Sequence, residues 1–167
     1  MPPLSAFAGD AIYVDAMILI GLIDAGSPWH PAARALFARA LEPVRPLRLA
    51  TATLTFDEVL FVLLQEQVAR PPYGVVRNRS RYLADHPEVV RRLVPAIEAP
   101  LQGLLDLLAL EPVLASDVAA LPAGMTASGL LPRDAIHIVV MRRLGLTALA
   151  SDDAAFDRCP GVRRFAP

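Results

Sequence analysis

Short apolar runs of β-forming residues alternate along the chain with longer stretches of helical pattern. The first run is AIYV at 11–14, and similar runs follow at 47–51, 147–150 and 162–165. Strands that alternate with helical segments are typical of a parallel sheet covered by helices. We therefore expect an α/β fold, with helices at about 15–24, 31–41, 55–69 and 132–144.

The middle of the chain is less regular. We predict that Pro71-Pro72 ends one helix and that residues 73–100, which carry five arginines, form two helical pieces divided near His86-Pro87. We expect a further helix at 101–108, an extended segment at 112–115, one or two helical turns at 117–121 and a loop at 124–129. Pro132 suits the first position of the next helix, and Gly145 should end that helix.

Length and composition favour one domain. The 167 residues fit a single domain over 1–167, in which the basic, helical stretch at 70–100 is a longer middle region. The apolar fraction of 54% and the mean hydropathy of +0.44 are high, so we expect apolar surface that a partner covers. No segment has the roughly 18 uninterrupted apolar residues of a membrane helix. The first residues do not resemble a signal peptide either, and these patterns predict a cytoplasmic protein.

Two residue types narrow the chemistry. Cys159 is the only cysteine, which excludes an internal disulfide and a cysteine-rich zinc site. All 16 basic residues are arginine, whereas a P-loop needs a lysine on the phosphates. Phosphatases and receiver domains built around an aspartyl-phosphate normally use a lysine as well, so these classes of protein are disfavoured.

Acidic residues stand where predicted strands end or predicted helices begin. Asp15 follows the first strand, Glu58 lies in the first turn after the second, Asp134 follows Pro132, and Asp152-Asp153 follow the strand at 147–150. Sites in parallel sheets form beyond the carboxyl ends of the strands, so we expect these acids at one edge. Such a cluster would suit Mg²⁺ or Mn²⁺, because these hard cations take oxygen ligands.

Most of these acids also have a purely structural interpretation. Thr55-x-x-Glu58 fits a capping box, in which Glu58 only caps its helix. Asp134 would suit the helix dipole, and Ser151-Asp152-Asp153 would suit a turn or an N-cap. Asp15 is the hardest to explain in this way, because an unpaired charge inside an apolar run is costly.

Taken together, these segments resemble the PIN-domain family. The resemblance begins at Ile12 and includes the strand that ends in Asp15 and the Thr-rich lead into Asp57-Glu58. Its strongest part is RDAIHIVVMRRLGLTALASDDAAFDRCPGV at 133–162. The resemblance implies a three-layer α/β/α domain with a central parallel sheet of about four to five strands. It also implies RNA hydrolysis with one or two Mg²⁺ or Mn²⁺ ions, and many bacterial members are VapC-type toxins.

The resemblance also implies roles for individual residues. The four acids with expected catalytic and metal-binding roles are Asp15, Glu58, Asp134 and Asp153. Asp153 is preferred to Asp152 because the family places this acid three residues before an aromatic residue, here Phe156, and Asp152 is a further candidate metal ligand. Ser151 stands where the family often has Thr and is expected to orient a ligand or phosphate. Apart from the resemblance, Arg133 beside Asp134 is the cation that we most expect near a bound phosphate, and the alternative is that it only points outward.

Two residues near these acids carry separate expectations. Met17 stands where the family commonly has Asn, two residues after the first acid, and this change alters how Asp15 is held. His137 lies one helical turn after Asp134. We expect His137 to pack against the next strand rather than to face the site.

The function that the resemblance implies is a metal-dependent endoribonuclease that hydrolyses RNA phosphodiester bonds. It would be the toxin of a type II toxin-antitoxin pair, with an antitoxin protein as partner and a homodimer contact. The alternative is a PIN-like RNA-binding or assembly module with weak or lost catalysis, which Met17 and the long middle region favour.

Overall fold

Five strands form one central sheet in the computed structural model, which describes residues 1–167. The strands are β1 (Ala11–Val14), β2 (Arg48–Ala52), β3 (Ala109–Glu111), β4 (Ala148–Ala150) and β5 (Arg163–Phe165). Their order across the sheet is β3-β2-β1-β4-β5, and every pairing is parallel. The carboxyl ends of β2, β1 and β4 therefore lie side by side.

Seven α-helices surround the sheet. They are α1 (Ala16–Ile23), α2 (His30–Ala40), α3 (Thr53–Ala69), α4 (Arg79–Asp85), α5 (Pro87–Leu107), α6 (Ala115–Ser128) and α7 (Pro132–Arg143). Short 3₁₀ turns lie at Leu4–Ala6 and Ala154–Arg158. None of the helices combines the length and the apolar character that a membrane crossing requires.

The central strand β1 is buried on both faces of the sheet. Ile12 and Val14 belong to a core cluster that includes residues of α1, α2, α3 and α5. Tyr13 belongs to a second cluster, which includes Ile138 and Met141 of α7. Because successive side chains of a strand point to opposite faces, the helices form one layer on each side. The predicted three-layer α/β/α fold with a parallel sheet is confirmed.

The loop predicted at 124–129 is wrong, because these residues continue α6 as far as Ser128. A Cβ atom on Gly124 would lie 2.9 Å from Cγ2 of Val139 in α7. The glycine therefore allows close packing of two helices and does not mark a loop. Gly129 ends α6 with a φ of 66°, in the left-handed region that glycine adopts readily.

The long helix α5 differs from the prediction of a separate helix at 101–108. It runs without interruption through Pro95 and Pro100, although proline removes a helical hydrogen bond. Val89, Leu93 and Ile97 are buried at a four-residue spacing, which places them on one helix face. Burial of this face accounts for the continuity of the helix. The predicted division near His86-Pro87 is confirmed, since α4 ends at Asp85 and α5 begins at Pro87.

The third strand lies three residues earlier than the extended segment predicted at 112–115. Residues 109–111 pair with β2, and α6 already begins at Ala115. The carboxylate of Asp117 accepts a hydrogen bond from the backbone N–H of Leu114 at 2.9 Å. This contact fixes the start of α6, so residues 112–114 form the lead into a helix.

Candidate metal centre

Asp15 stands at the junction between β1 and α1. Its backbone is extended, and its Oδ1 accepts a hydrogen bond from the N–H of Ala16 at 2.7 Å, so it is the N-cap of α1. The apolar run is interrupted there because the strand ends and the helix begins. Burial raises the pKa of Asp15 above its ordinary value, and the hydrogen bond from Ser151 opposes that rise.

Ser151 connects the end of β4 to Asp15 on the neighbouring strand. Its hydroxyl donates to Oδ2 of Asp15 at 2.6 Å, and it accepts from the N–H of Asp153 at 3.1 Å. Asp153 in turn caps the following 3₁₀ turn, because its Oδ1 accepts from the N–H of Ala155 at 2.7 Å. Ser151 is fully buried, so it orients the carboxylate of Asp15 from inside the protein.

The capping box predicted for Thr55 and Glu58 is wrong. Helix α3 begins at Thr53, two residues before Thr55, and has no side-chain cap. The side chain of Thr55 instead lies 2.7 Å from the hydroxyl of Thr51, which also donates to the carbonyl of Val14. Glu58 consequently lies in the second turn of α3 and does not cap the helix.

The carboxylate of Glu58 is largely buried, with 16% of its side chain exposed. Its Oε1 lies 2.9 Å from Nε of Arg133, and its Oε2 lies 3.7 Å from Nε2 of His137. Arg133 also reaches Oδ2 of Asp57 at 2.8 Å and therefore bridges two consecutive acids of α3. Arg133 thus lies over Glu58 rather than pointing away from it.

His137 faces the acids, contrary to the expectation from the sequence. It does pack against the sheet, because its Nδ1 lies 2.8 Å from the hydroxyl of Tyr13 in β1. The opposite ring nitrogen, Nε2, is directed towards Glu58. The spacing of three residues from Asp134 put His137 on the same side of α7, and this was the only sequence signal for its position.

Three side chains are close enough to hold one cation. Two carboxylate oxygens, from Asp15 and Glu58, and a ring nitrogen of His137 all lie within 4.8 Å of one another. Nε2 of His137 is also a buried polar atom without a hydrogen-bond partner. Two carboxylates and an unpaired imidazole nitrogen form a donor set that fits a divalent cation.

Asp134 and Asp153 lie outside this trio. Burial raises the pKa of Asp134, and the negative charge of Asp153 contributes more to this rise than Asp15 or Glu58 does. Asp153 also lines a cavity of about 270 Å³ together with Asp15, Glu58 and Arg133. Three of the four predicted acids therefore line one cavity, and Asp134 is not part of its lining.

Asp152 and Met17 have different positions relative to the cavity. Asp152 is exposed and is absent from the cavity lining, and its backbone carbonyl accepts from Nη1 of Arg164. Met17 lines the cavity and is 40% exposed. Met17 occupies the position at which the family commonly has Asn. Its thioether therefore lies at the mouth of the site.

Arg164 supports the loop that carries Ser151 and Asp153. Its guanidinium is buried in β5 and donates to the carbonyls of Ser151 and Asp152 at 3.1 and 3.2 Å. It is paired with both carboxylate oxygens of Asp157, at 3.0 and 2.7 Å. Sequence reasoning missed Arg164, although an arginine inside a predicted strand was the signal that a buried acceptor was needed.

A family model of the PIN domain matches residues 12–162. The chain belongs to the PIN-domain family. The matched segment contains all the acids described above, so the site lies wholly within the PIN domain. No curated protein sequence matches the chain at a significant level.

Solved structures with the same fold include several toxins and toxin-antitoxin complexes. VapC20 from Mycobacterium tuberculosis, a toxin that cleaves the sarcin-ricin loop, is 18% identical with a TM-score of 0.54, and the match covers 87% of this chain and 92% of VapC20. A toxin-antitoxin complex from Klebsiella pneumoniae is 18% identical with a TM-score of 0.55 and coverages of 91% and 95%. VapBC2 from Rickettsia felis, bound to a promoter DNA fragment, is 13% identical with a TM-score of 0.55 and coverages of 93% and 98%. At these identities the likeness is one of fold.

Proposed function

We propose that this PIN domain is a metal-dependent endoribonuclease that hydrolyses RNA phosphodiester bonds with Mg²⁺ or Mn²⁺. The observation that carries the proposal is the cavity at the carboxyl edge of the sheet, where Asp15 and Glu58 lie with an unpaired nitrogen of His137. Carboxylates placed this close repel each other, and a bound divalent cation would offset that repulsion.

Each acid has a part in the proposed site. Asp15 and Glu58 would bind the cation directly, with Ser151 holding one oxygen of Asp15 in place. Asp153 lines the same cavity, and it would bind further water or a second cation together with Asp134. Asp152 would contribute only from the rim, because it does not line the cavity.

The proposed chemistry is attack of water on a phosphodiester. A divalent cation at this site would lower the pKa of water and offset the negative charge that develops on the phosphate. Arg133 would contact the substrate, since 51% of its side chain is exposed at the cavity and its guanidinium can turn from Asp57 to a phosphate.

The middle region would bind the RNA backbone away from the cleavage site. Arg77, Arg91 and Arg92 are exposed and form no ion pair in the structure, so they are available to phosphate. By contrast, Arg79 is paired with Glu66 and Arg81 with Asp85. The unpaired arginines are the better candidates for RNA contacts.

We further propose that the protein is the toxin of a type II toxin-antitoxin pair that acts in the cytoplasm. The likeness in fold to VapC20 and to two antitoxin complexes supports this role. An antitoxin protein would cover part of the exposed apolar surface, which includes Phe61 beside the cavity. A homodimer contact would cover another part.

An RNA cleavage assay with added metal tests the proposal. The wild-type protein, first stripped with a chelator, should cleave RNA only after Mg²⁺ or Mn²⁺ is added. Asp15→Asn and Asp134→Asn should abolish cleavage. Asp106→Asn is the matched control, because Asp106 is exposed on α5 and bonds only to Gln102. Undiminished cleavage in both site variants would refute the assignment.

A second candidate function is an RNA-binding or assembly module with weak or lost catalysis. Two observations favour it: Met17 lies in the cavity lining, and Arg133 already occupies one oxygen of Glu58. The same samples separate the two functions. RNA binding in a mobility-shift assay without metal-dependent cleavage would favour the module, whereas cleavage would favour the nuclease.

A further inference from the structure

One polar atom in the protein interior lacks a partner. Of all the buried side-chain nitrogen and oxygen atoms, only Nε2 of His137 makes no hydrogen bond. The histidine is 2% exposed, so water does not satisfy this atom from the surface. An unpaired buried nitrogen costs free energy, of the order of 1–3 kcal/mol, unless something binds it.

The other side of the ring is held firmly. Nδ1 lies 2.8 Å from the Tyr13 hydroxyl, and that oxygen also accepts from the N–H of Ala52 at 2.9 Å. The Tyr13 hydroxyl oxygen can accept from Nδ1–H of His137, and in that tautomer of the ring a lone pair is left on Nε2.

In this tautomer the lone pair on Nε2 faces negative charge. Oε2 of Glu58 lies 3.7 Å away, too far for a hydrogen bond from a protonated Nε2. A ring nitrogen of His137 also lies within 4.8 Å of carboxylate oxygens of both Asp15 and Glu58. A lone pair facing two carboxylates is repelled by them, whereas a cation between the three groups would satisfy all of them.

We infer that His137 is a metal ligand through Nε2 and that Tyr13 is the residue that positions its ring. The inference rests on the proposed metal site and extends it beyond the four acids. Metal-binding histidines generally donate their second ring N–H to a fixed acceptor, and the Tyr13 hydroxyl fills that place here. The cation then has a mixed donor set of two carboxylates and one imidazole.

The mixed donor set has a consequence for metal choice. Mg²⁺ prefers oxygen ligands, whereas imidazole nitrogen favours transition-metal ions. Among the divalent ions of the first transition series, the affinity of such a site rises from Mn²⁺ towards Cu²⁺. The site should therefore bind Mn²⁺ more tightly than Mg²⁺. Replacing His137 should reduce the affinity for Mn²⁺ more than the affinity for Mg²⁺.

Pulsed electron paramagnetic resonance of Mn²⁺ bound to the full chain tests this directly. The wild-type protein should show a hyperfine coupling between Mn²⁺ and the ¹⁴N nucleus of a bound imidazole. Labelling the histidines with ¹⁵N should replace this coupling by the corresponding ¹⁵N coupling. This measurement needs no variant, so a folding defect cannot obscure it. Bound Mn²⁺ without histidine coupling would overturn the inference, and so would failure to bind Mn²⁺ at all.

Variants then assign the coupling to one histidine. His137→Gln should remove it and weaken Mn²⁺ binding in calorimetry by about 10–100-fold, the range found for groups that hold or orient a ligand. His86→Gln is the control, because His86 lies against Tyr82 in the middle region and should leave the coupling unchanged. A coupling that persists in His137→Gln would refute the assignment.

These outcomes are independent of RNA cleavage. Histidine-coupled Mn²⁺ in a protein that cleaves no RNA would support the ligand and refute the proposed nuclease. Metal-dependent cleavage with Mn²⁺ bound by oxygen alone would support the nuclease and refute the ligand.

Discussion

Replacing Ser151 with alanine should destabilise the protein although it removes only one oxygen atom. Ser151 is fully buried, and its hydroxyl joins the end of β4 to Asp15 at the end of β1. It also accepts from the N–H of Asp153. Ser151→Ala removes both contacts and leaves an oxygen of Asp15 without its donor.

The expected loss can be worked out from these two contacts. A hydrogen bond to a charged group contributes about 1.5–3 kcal/mol, and the 2.6 Å distance to Asp15 is at the short end of such bonds. The second contact contributes about 0.5–1 kcal/mol, because the N–H of the exposed Asp153 can turn to water. We therefore expect the free energy of unfolding to fall by about 2–4 kcal/mol, a large part of the total of about 5–15 kcal/mol for a protein domain.

Urea denaturation followed by circular dichroism measures this difference in metal-free buffer. The midpoint of Ser151→Ala should be lower while the slope stays the same, since the folded state remains equally compact. Ser80→Ala is the matched control, because Ser80 is exposed on α4. A loss below about 0.5 kcal/mol, comparable to that in the control, would mean that the Ser151 hydroxyl does not hold Asp15 in solution.

Three further perturbations test other parts of the structure. Arg164 holds the pKa of Asp157 below its ordinary value, so their ion pair stabilises the fold above about pH 4 and is lost as the pH falls through the lowered pKa. Asp157→Asn should therefore lower the melting temperature at pH 7 but not near pH 2. An equal decrease at the two pH values would contradict this. Gly124→Val should cost about 1–3 kcal/mol by overpacking against Val139, and Val139→Ala in the same chain should restore part of the loss seen in urea titrations. Saturating Mn²⁺ should raise the melting temperature reversibly with a chelator; the increase should be absent in Asp15→Asn, and no increase in the wild type would argue against a metal site.

The regular elements near the acids could be predicted from local patterns. β1 and α7 lie where the sequence predicted them, because strand alternation and a proline at the helix start are local signals. Since the parallel arrangement was also predicted, the positions of Asp15 and Asp153 at one edge followed from the ends of their strands. The structure brings these two acids to the same cavity.

Predictions failed where a residue serves a distant partner. Gly124 suggested a loop in the sequence. The reason for the glycine is its close approach to Val139 in another helix, which the local sequence does not show. Thr55 suggested a cap, but its hydroxyl contacts Thr51 of β2, and Thr51 in turn donates to the distant carbonyl of Val14 in β1. No local pattern distinguishes a glycine that terminates a helix from one that lets two helices approach.

The buried polar contacts of the site were the hardest to predict. Tyr13 and His137 are 124 residues apart, and the orientation of the histidine depends on their hydrogen bond. An arginine inside a predicted strand indicates a buried acceptor, but the sequence does not show that the acceptors of Arg164 are backbone carbonyls of the loop after β4. Such contacts depend on which strands are neighbours, and the order β2-β1-β4-β5 can be read only from the assembled sheet.

The contact between Ser151 and Asp15 also determines when the site can form during synthesis. The two residues are 136 positions apart, so Asp15 leaves the ribosome long before Ser151 has been translated. Until Ser151 and Arg164 emerge, the nascent chain has neither the hydroxyl that orients Asp15 nor the guanidinium that fixes the adjoining loop. The site is therefore completed only after β5 has joined the sheet, and Asp15 lacks its orienting contact through most of translation.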